Sequence, residues 1–504
     1  MSLLGAIFGI GEFEGKRERS LRSSTTTSHA YDLVLLEYVA MNAHPKFLLQ
    51  KVLDDDNRFL MGHVLVATSQ CLSPLVHQDS LDAAASLEIA RALTEEATTT
   101  VNEKLHVAAL DAMVYGRFRE AAAVYETILL HDPRDLLAQR CAFDIYVLLG
   151  DTKNILSTIA RRLPSWSPND AGFSHMIGMQ AYGLQAAGRL DAAEVLAEKA
   201  MSMHGNDRWA FHTMLHVLEA RGNPNHGASY ALQHKDDFDN GGPLEQHLYF
   251  QWALYLIELG RYDRIEKFLD LYIIPRGQQE RHSVRALSDA TQLFWRLHFV
   301  GHDVTDLQQR LVSEWQAVSQ DEREGHVVFP TMAKLLRYSI LSTMSEDTAN
   351  LTGDNIPDDR GVDLFEFEKH NGVQLVQFSF PRPARELVEV YTAVCHGFMA
   401  YSQGRFQDAV DVLLPIRGSL DLLGGTTIHQ DLIELLLTES ASRCEELQVA
   451  KLLLNERVTQ RPQSAQSWNA YSRVVESLGD ASAVRDAQSM SYVLGLGQGG
   501  NKTN

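Results

Sequence analysis

The chain is poor in cysteine, poor in positive charge and without a long apolar run. Cys71, Cys141, Cys395 and Cys444 are scattered with no CxxC pair, which suits neither a disulfide framework nor a zinc finger. Buried, reduced thiols are the expected state. No stretch of about 18 uncharged apolar residues occurs, so no membrane span is expected. The 45 Lys and Arg face 65 Asp and Glu, a formal net charge of -20. A grip on phosphate backbones needs clustered basic residues, so nucleic acid and anionic membrane are poor partners.

Recognisable catalytic signatures are missing as well. There is no Gly-rich phosphate loop ending in Gly-Lys, no GxGxxG after a strand, no HExxH and no GxSxG. Strand-like alternation is rare and no βαβ pattern appears. One exception is VQLVQFSFPRP, residues 373–383, which alternates before prolines and reads as a short extended segment. It follows an acidic, helix-poor stretch, so residues 345–384 read as an inserted loop.

What is present is an internal repeat, and it decides the fold class. The clearest unit contains GRFREAAAVYETILLHDP, with Ala109, Gly116, Phe118, Ala121, Tyr125 and Pro133 in order. Small residues let two helices approach, a glycine permits positive φ in the turn, rings fill the groove and proline ends the second helix. The same phase recurs with Ala181, Gly188, Leu190, Ala193, Ala197 and Ala200. It returns with Ala253, Gly260, Tyr262 and Ile265, and again with Gly397, Gly404, Phe406, Ala409 and Leu413. Weaker copies surround Gly150, Gly222 and Gly301, and others follow Ala450 and Trp468. This is the ~34-residue helix-turn-helix pattern of tetratricopeptide repeats, and an all-α, α-α superhelix is expected.

The expected layout is an N-terminal tail over 1–28, a repeat array over 29–344, the acidic loop over 345–384, a second array over 385–492 and a C-terminal tail over 493–504. The evenly spaced Trp166, Trp209, Trp252 and Trp295 do not mark the repeat. The glycines that follow the last three fall at different distances, so the tryptophans occupy different places in their units.

Polar residues inside apolar helices are the candidates for chemistry. In RWAFHTMLHVLEARG, His212, His216 and Glu219 fall at i, i+4 and i+7, along one helical face. Two histidines one turn apart beside a carboxylate are able to bind zinc or share a proton. The competing reading is a buried polar network that ties helices together, because buried polar groups are normally satisfied by one another, and neither a metal nor a cofactor is expected.

Several strings resemble those of the tetratricopeptide repeat protein 38 family, in patches from about residue 30 to 480. They are FLMGHVL, the helix carrying His212 to Glu219, HLYFQWALYLIELGRY, SDATQLFWRLHFVG and LLGGTTIHQD. The resemblance implies a helical-repeat fold without an established activity. It also implies a shared polar set, here His63, His212, His216, Glu219, His247, Asp289, Arg296, Gly424, Gly425 and Asp431. This chain departs from the family pattern at Phe250 and Gln251 in place of Trp-His, at Pro330 and Met332 in place of Asp and His, and at His429 and Gln430 in place of Gln-Arg.

With half of those polar positions replaced, the expected function is a non-catalytic interaction scaffold or assembly subunit that binds a protein partner on the superhelix. The alternative is a small-molecule binder or enzyme that uses the His/Asp/Glu cluster, with His429 among its candidates. A clamp for C-terminal carboxylates fits less well, because Arg117, Arg189 and Arg261 follow the turn glycines and belong to the turns. The N-terminus, with Lys16, Arg17, Arg19 and Arg22 among Ser and Thr but also Glu12, Glu14 and Glu18, fits a targeting peptide only in part. The expected compartment is the cytoplasm, including the cilium, with mitochondria as the alternative.

Overall fold

The computed structural model describes residues 25–41, 45–72, 80–96, 99–205, 207–239, 244–277, 282–318, 330–344, 369–370, 373–374, 384–444 and 446–499. It is an all-α superhelix of stacked hairpins. The N-terminal part comprises α1 (Thr25–Val39), α2 (Pro45–Asp55), α3 (Leu60–Leu72), α4 (Ser80–Thr94), α5 (Val101–Val114), α6 (Phe118–His131), α7 (Leu136–Leu149) and α8 (Thr152–Arg162). The middle holds α9 (Phe173–Ala186), α10 (Leu190–Met203), α11 (Arg208–Ala220), α12 (Pro224–Gln233), α13 (Glu245–Glu258), α14 (Tyr262–Phe268), α15 (Val284–Phe299), α16 (Thr305–Ala317) and α17 (Pro330–Leu341). After the 345–384 stretch come α18 (Ala384–Ser402), α19 (Phe406–Leu413), α20 (Thr427–Arg443), α21 (Leu447–Gln460), α22 (Ala465–Ser477) and α23 (Ala481–Gly499).

The hairpin turns share one geometry. At Gly116, φ is +73°; its N–H bonds Met113 O at 2.9 Å and the next N–H bonds Ala112 O at 2.7 Å. That double bond is the Schellman closure of a helix, which needs a left-handed residue and so favours glycine. Gly150, Gly188, Gly222, Gly260, Gly301, Gly404 and Gly479 repeat both the positive φ and the bond pattern. Four of them are followed by arginine, and Arg117, Arg189, Arg261 and Arg405 stand at the starts of the following helices, in the turns. Ala109, Ala121, Ala193, Ala197, Ala253 and Ala409 are fully buried between helices, and Tyr125 fills the groove.

Two large apolar cores run along the array and meet at α11. Trp209 belongs to the first and Phe211 to the second, since successive helical residues face different neighbours. The second core includes Leu341 and Leu387, on both sides of the 345–384 stretch. Of that stretch only Lys369–His370 and Val373–Gln374 are described, as a two-residue antiparallel ladder; the rest, including 375–383, lies outside the described residues. The first 24 residues lie outside them too. The last helix runs to Gly499, past residue 492 and into the stretch read as a tail.

The superhelix also folds back on itself. The loop and helices after α21 reach the α11–α13 region: Arg461 bonds Glu219 Oε1 at 2.6 Å, Ser464 bonds Glu258, and Gln466 donates to Tyr262 Oη at 3.1 Å. At Gly222 a Cβ would sit 2.7 Å from the Cα of Arg461, so the closure needs the absence of a side chain there as well as the positive φ.

Of the four cysteines, Cys71, Cys141 and Cys395 are buried and Cys444 partly so, all as free thiols. Burial pushes the Cys71 and Cys395 thiols up to about 12, so they are inert at neutral pH. Among the described residues no helix is long and apolar enough to cross a membrane.

Candidate functional site

The polar candidates lie where the two cores meet, and α11 positions them. Asp207 caps this helix: its Oδ1 accepts the Ala210 N–H at 2.9 Å, while Oδ2 pairs with His175 Nδ1 at 3.2 Å. Helix α11 buries nearly its whole surface, so the one-face spacing of His212, His216 and Glu219 places all three inside the protein.

His212 and His216 touch through Nε2 atoms 3.1 Å apart. His212 stacks on Tyr182 of α9 with ring centroids 5.4 Å apart. From α13, His247 brings a third imidazole, 5.2 Å from the His212 ring. Asp289 of α15 fixes it, with Oδ2 2.9 Å from Nδ1. Phe250 stacks on His247 at 5.4 Å, and the Gln251 amide approaches His247 Nε2 at 3.5 Å. The departures at 250 and 251 therefore keep an aromatic ring and a hydrogen-bonding end in contact with His247.

Burial drives the protonation of this group. It depresses His212 well below the usual imidazole range, with His216, His247 and Arg285 adding to the effect. Burial, then His247, His429 and Arg285, pulls His216 down to about 3. His247 is also lowered by burial, partly offset by the Asp289 carboxylate. All three are neutral at physiological pH.

His429 of α20 lies near the same group and is pulled down to about 3 by burial, His247, Arg296 and Arg285. Its Nδ1 accepts the Thr426 N–H at 3.1 Å, closing the cap of α20. Its Nε2 lies 3.3 Å from the Gln292 amide nitrogen.

Glu219 does not join the histidines. It pairs with Arg461, and Arg461 also reaches Asp431 at 3.5 Å. Asp431 further binds Arg457, and Arg296 Nη2 at 3.0 Å; Arg296 Nη2 is also 2.7 Å from the Ile428 carbonyl. Burial alone would raise the Asp431 carboxyl, but Arg457, Arg461 and Arg296 outweigh it and hold it well below the usual carboxylate range. Glu219, Arg296 and Asp431 thus form a second, mutually paired network. His63 stands apart from both, bonded at 2.9 Å to the Asn57 carbonyl.

Of the two positions 330 and 332, the first starts α17 and the second is a buried core methionine. The nine candidates therefore divide into a histidine group with Asp289 and His429, an ion-paired network, and an isolated helix-packing histidine. Sequence reasoning missed Arg285, whose charge bears on four of the histidines. Its only signal was its position one turn before Asp289 on the same helix.

Beside the ion-paired network lies a cleft of about 290 Å³, between α11–α13 on one side and α20–α22 on the other. Its inner wall is Glu219, Arg296, Asp431, Arg457 and Arg461. Asn469 and Arg473, one turn apart on α22, also line it. Both are exposed and have no side-chain partner among the described residues.

Fold and site together define a helical-repeat superhelix with a polar junction at its centre. No family model matches the chain. A solved structure described as Naa15/Naa10 bound to HypK-THB aligns over 93% of this chain and 64% of the matched chain, with 11% identity and a TM-score of 0.23. The chain thus spans less than two thirds of that neighbour's length, and a likeness at this level carries no argument about function.

Proposed function

We propose that this chain is a non-catalytic interaction protein, a scaffold or assembly subunit that holds a protein partner on its superhelix, as a divergent relative of the tetratricopeptide repeat protein 38 group. The observation that carries this reading is the cleft beside α22. Its deep charges are already paired with one another, so they are not poised for proton or group transfer. At its mouth, Asn469 and Arg473 offer an exposed amide and guanidinium with no side-chain partner among the described residues. An amide satisfies both the donor and the acceptor of a peptide backbone, and a guanidinium pairs with a carboxylate. An extended segment of a partner with an acidic residue suits that pair. The most fitting compartment remains the cytoplasm, where reduced thiols persist.

A photo-crosslinking residue at Ala470, which also lines the cleft, with a second at the exposed Tyr115 as control, tests the proposal in cells. Expected is a discrete crosslinked protein from Ala470 that disappears in Arg473→Glu. Crosslinks that are equal from both positions, or indifferent to Arg473→Glu, contradict it. The convergence of three histidines favours a second reading, a small-ligand site, and this is independent of the cleft.

A further inference from the structure

We propose that His212, His216 and His247 form a binding site for a divalent transition metal, with zinc the best fit, and that Asp289 is its positioning residue. One nitrogen from each of the three rings lies within 4.8 Å of the other two. The His212 and His216 Nε2 atoms, at 3.1 Å, are close to the ~3.3 Å separation that tetrahedral Zn–N bonds of about 2.0–2.1 Å impose. The pair one turn apart on α11 is joined by a third ligand from α13.

The surroundings follow the chemistry of such sites. Asp289 takes the Nδ1 side of His247 at 2.9 Å, which leaves Nε2, approached at 3.5 Å by the Gln251 amide, as the nitrogen for an ion. A carboxylate behind a ligating histidine fixes its tautomer and raises its basicity. All three imidazoles are neutral, the form that binds metal, because burial depresses their protonation. The donor set is nitrogen only, which selects zinc and its neighbours over magnesium or calcium.

Without an ion, His212 and His216 share a single proton between their Nε2 atoms, and an ion there replaces that one contact with two metal–nitrogen bonds. The Nδ1 atoms of both rings, buried without a partner among the described residues, carry the imidazole protons when metal is bound. Arg285 opposes a bare dication. An anionic fourth ligand, such as hydroxide, would offset that charge in the way three-histidine zinc sites are completed.

The test uses the full chain with any affinity tag removed, stripped with chelator and titrated with Zn(II) against a chromophoric competitor and with Co(II) as a spectroscopic probe. Expected are one equivalent bound and the visible bands of four-coordinate cobalt. His216→Gln and His247→Ala abolish both, Asp289→Asn weakens binding about 10- to 100-fold, and His63→Ala leaves it unchanged. Circular dichroism confirms folding; if His247→Ala does not fold, His216→Gln, which retains volume and a hydrogen-bonding end, decides. No stoichiometric binding, or binding that survives His216→Gln, overturns the proposal.

Discussion

Gly222 and Gly116 offer a controlled test of how the superhelix closes. Both glycines sit in the same Schellman turn, at φ +61° and +73°. An alanine at either position is forced into the left-handed region, at a cost of ~1–2 kcal/mol. At Gly116 nothing lies within 4 Å of the added Cβ, whereas at Gly222 it would meet Arg461 Cα and Cβ at 2.7 Å. A backbone atom cannot swing aside as a side-chain end can, and overpacking of this kind costs typically about 1–3 kcal/mol. Gly222→Ala is therefore expected to cost that much more than Gly116→Ala, and to displace the arginine that bridges Glu219 and Asp431. An array of this length need not unfold in one step, so the readout is hydrogen exchange resolved by peptide. Gly222→Ala should speed exchange at the start of α22 and the end of α11, by about tenfold for each 1.4 kcal/mol. Gly116→Ala should act only around the α5–α6 turn. If the C-terminal hairpins exchange identically in both variants, the fold-back is not held through Gly222 and the argument fails.

Two further perturbations follow from the polar groups. Asp431→Asn leaves three arginines short of their shared carboxylate, at an expected cost of about 3 kcal/mol, the low end for breaking a buried pair. Because the native carboxyl is held below its unfolded value of about 3.9, its stabilisation is present above that pH and is lost as pH falls toward the native value. The difference in urea midpoint between wild type and variant should thus be larger at pH 7 and begin to shrink below about pH 4, with part of it still present at pH 3; a difference that does not change with pH refutes the assignment. Asp207→Ala removes the α11 cap and the His175 contact for about 1–2 kcal/mol, seen as faster exchange in the first turn of α11. Asp207→Asn keeps the cap and should lose less; equal losses would mean that the cap is not what Asp207 supplies.

The repeat was legible because a turn that needs positive φ leaves its glycine in the sequence, and eight such glycines sit at the turns. The site was legible only along single helices. Spacing placed His212, His216 and Glu219 on one face, but it contains nothing about what arrives from elsewhere in the chain. His247 comes to the two histidines from α13, while Arg461, brought by the fold-back from far along the chain, draws Glu219 into another network. The expectation of no metal rested on buried polar groups being normally satisfied by one another, and the spacing along α11 does not show that a third imidazole arrives from α13. The substitutions at 250 and 251 read as erosion, yet Phe250 and Gln251 still touch His247; contact, which spacing does not record, decides what a replacement removes.

The measurement closest to the central claim is the native mass of the chain isolated gently from its own cells, with and without Arg473→Glu. Expected is a stoichiometric complex with a protein partner from the wild type, reduced to the lone 56.4 kDa chain by the substitution. A wild-type chain that already runs alone, or a complex that Arg473→Glu leaves intact, contradicts it.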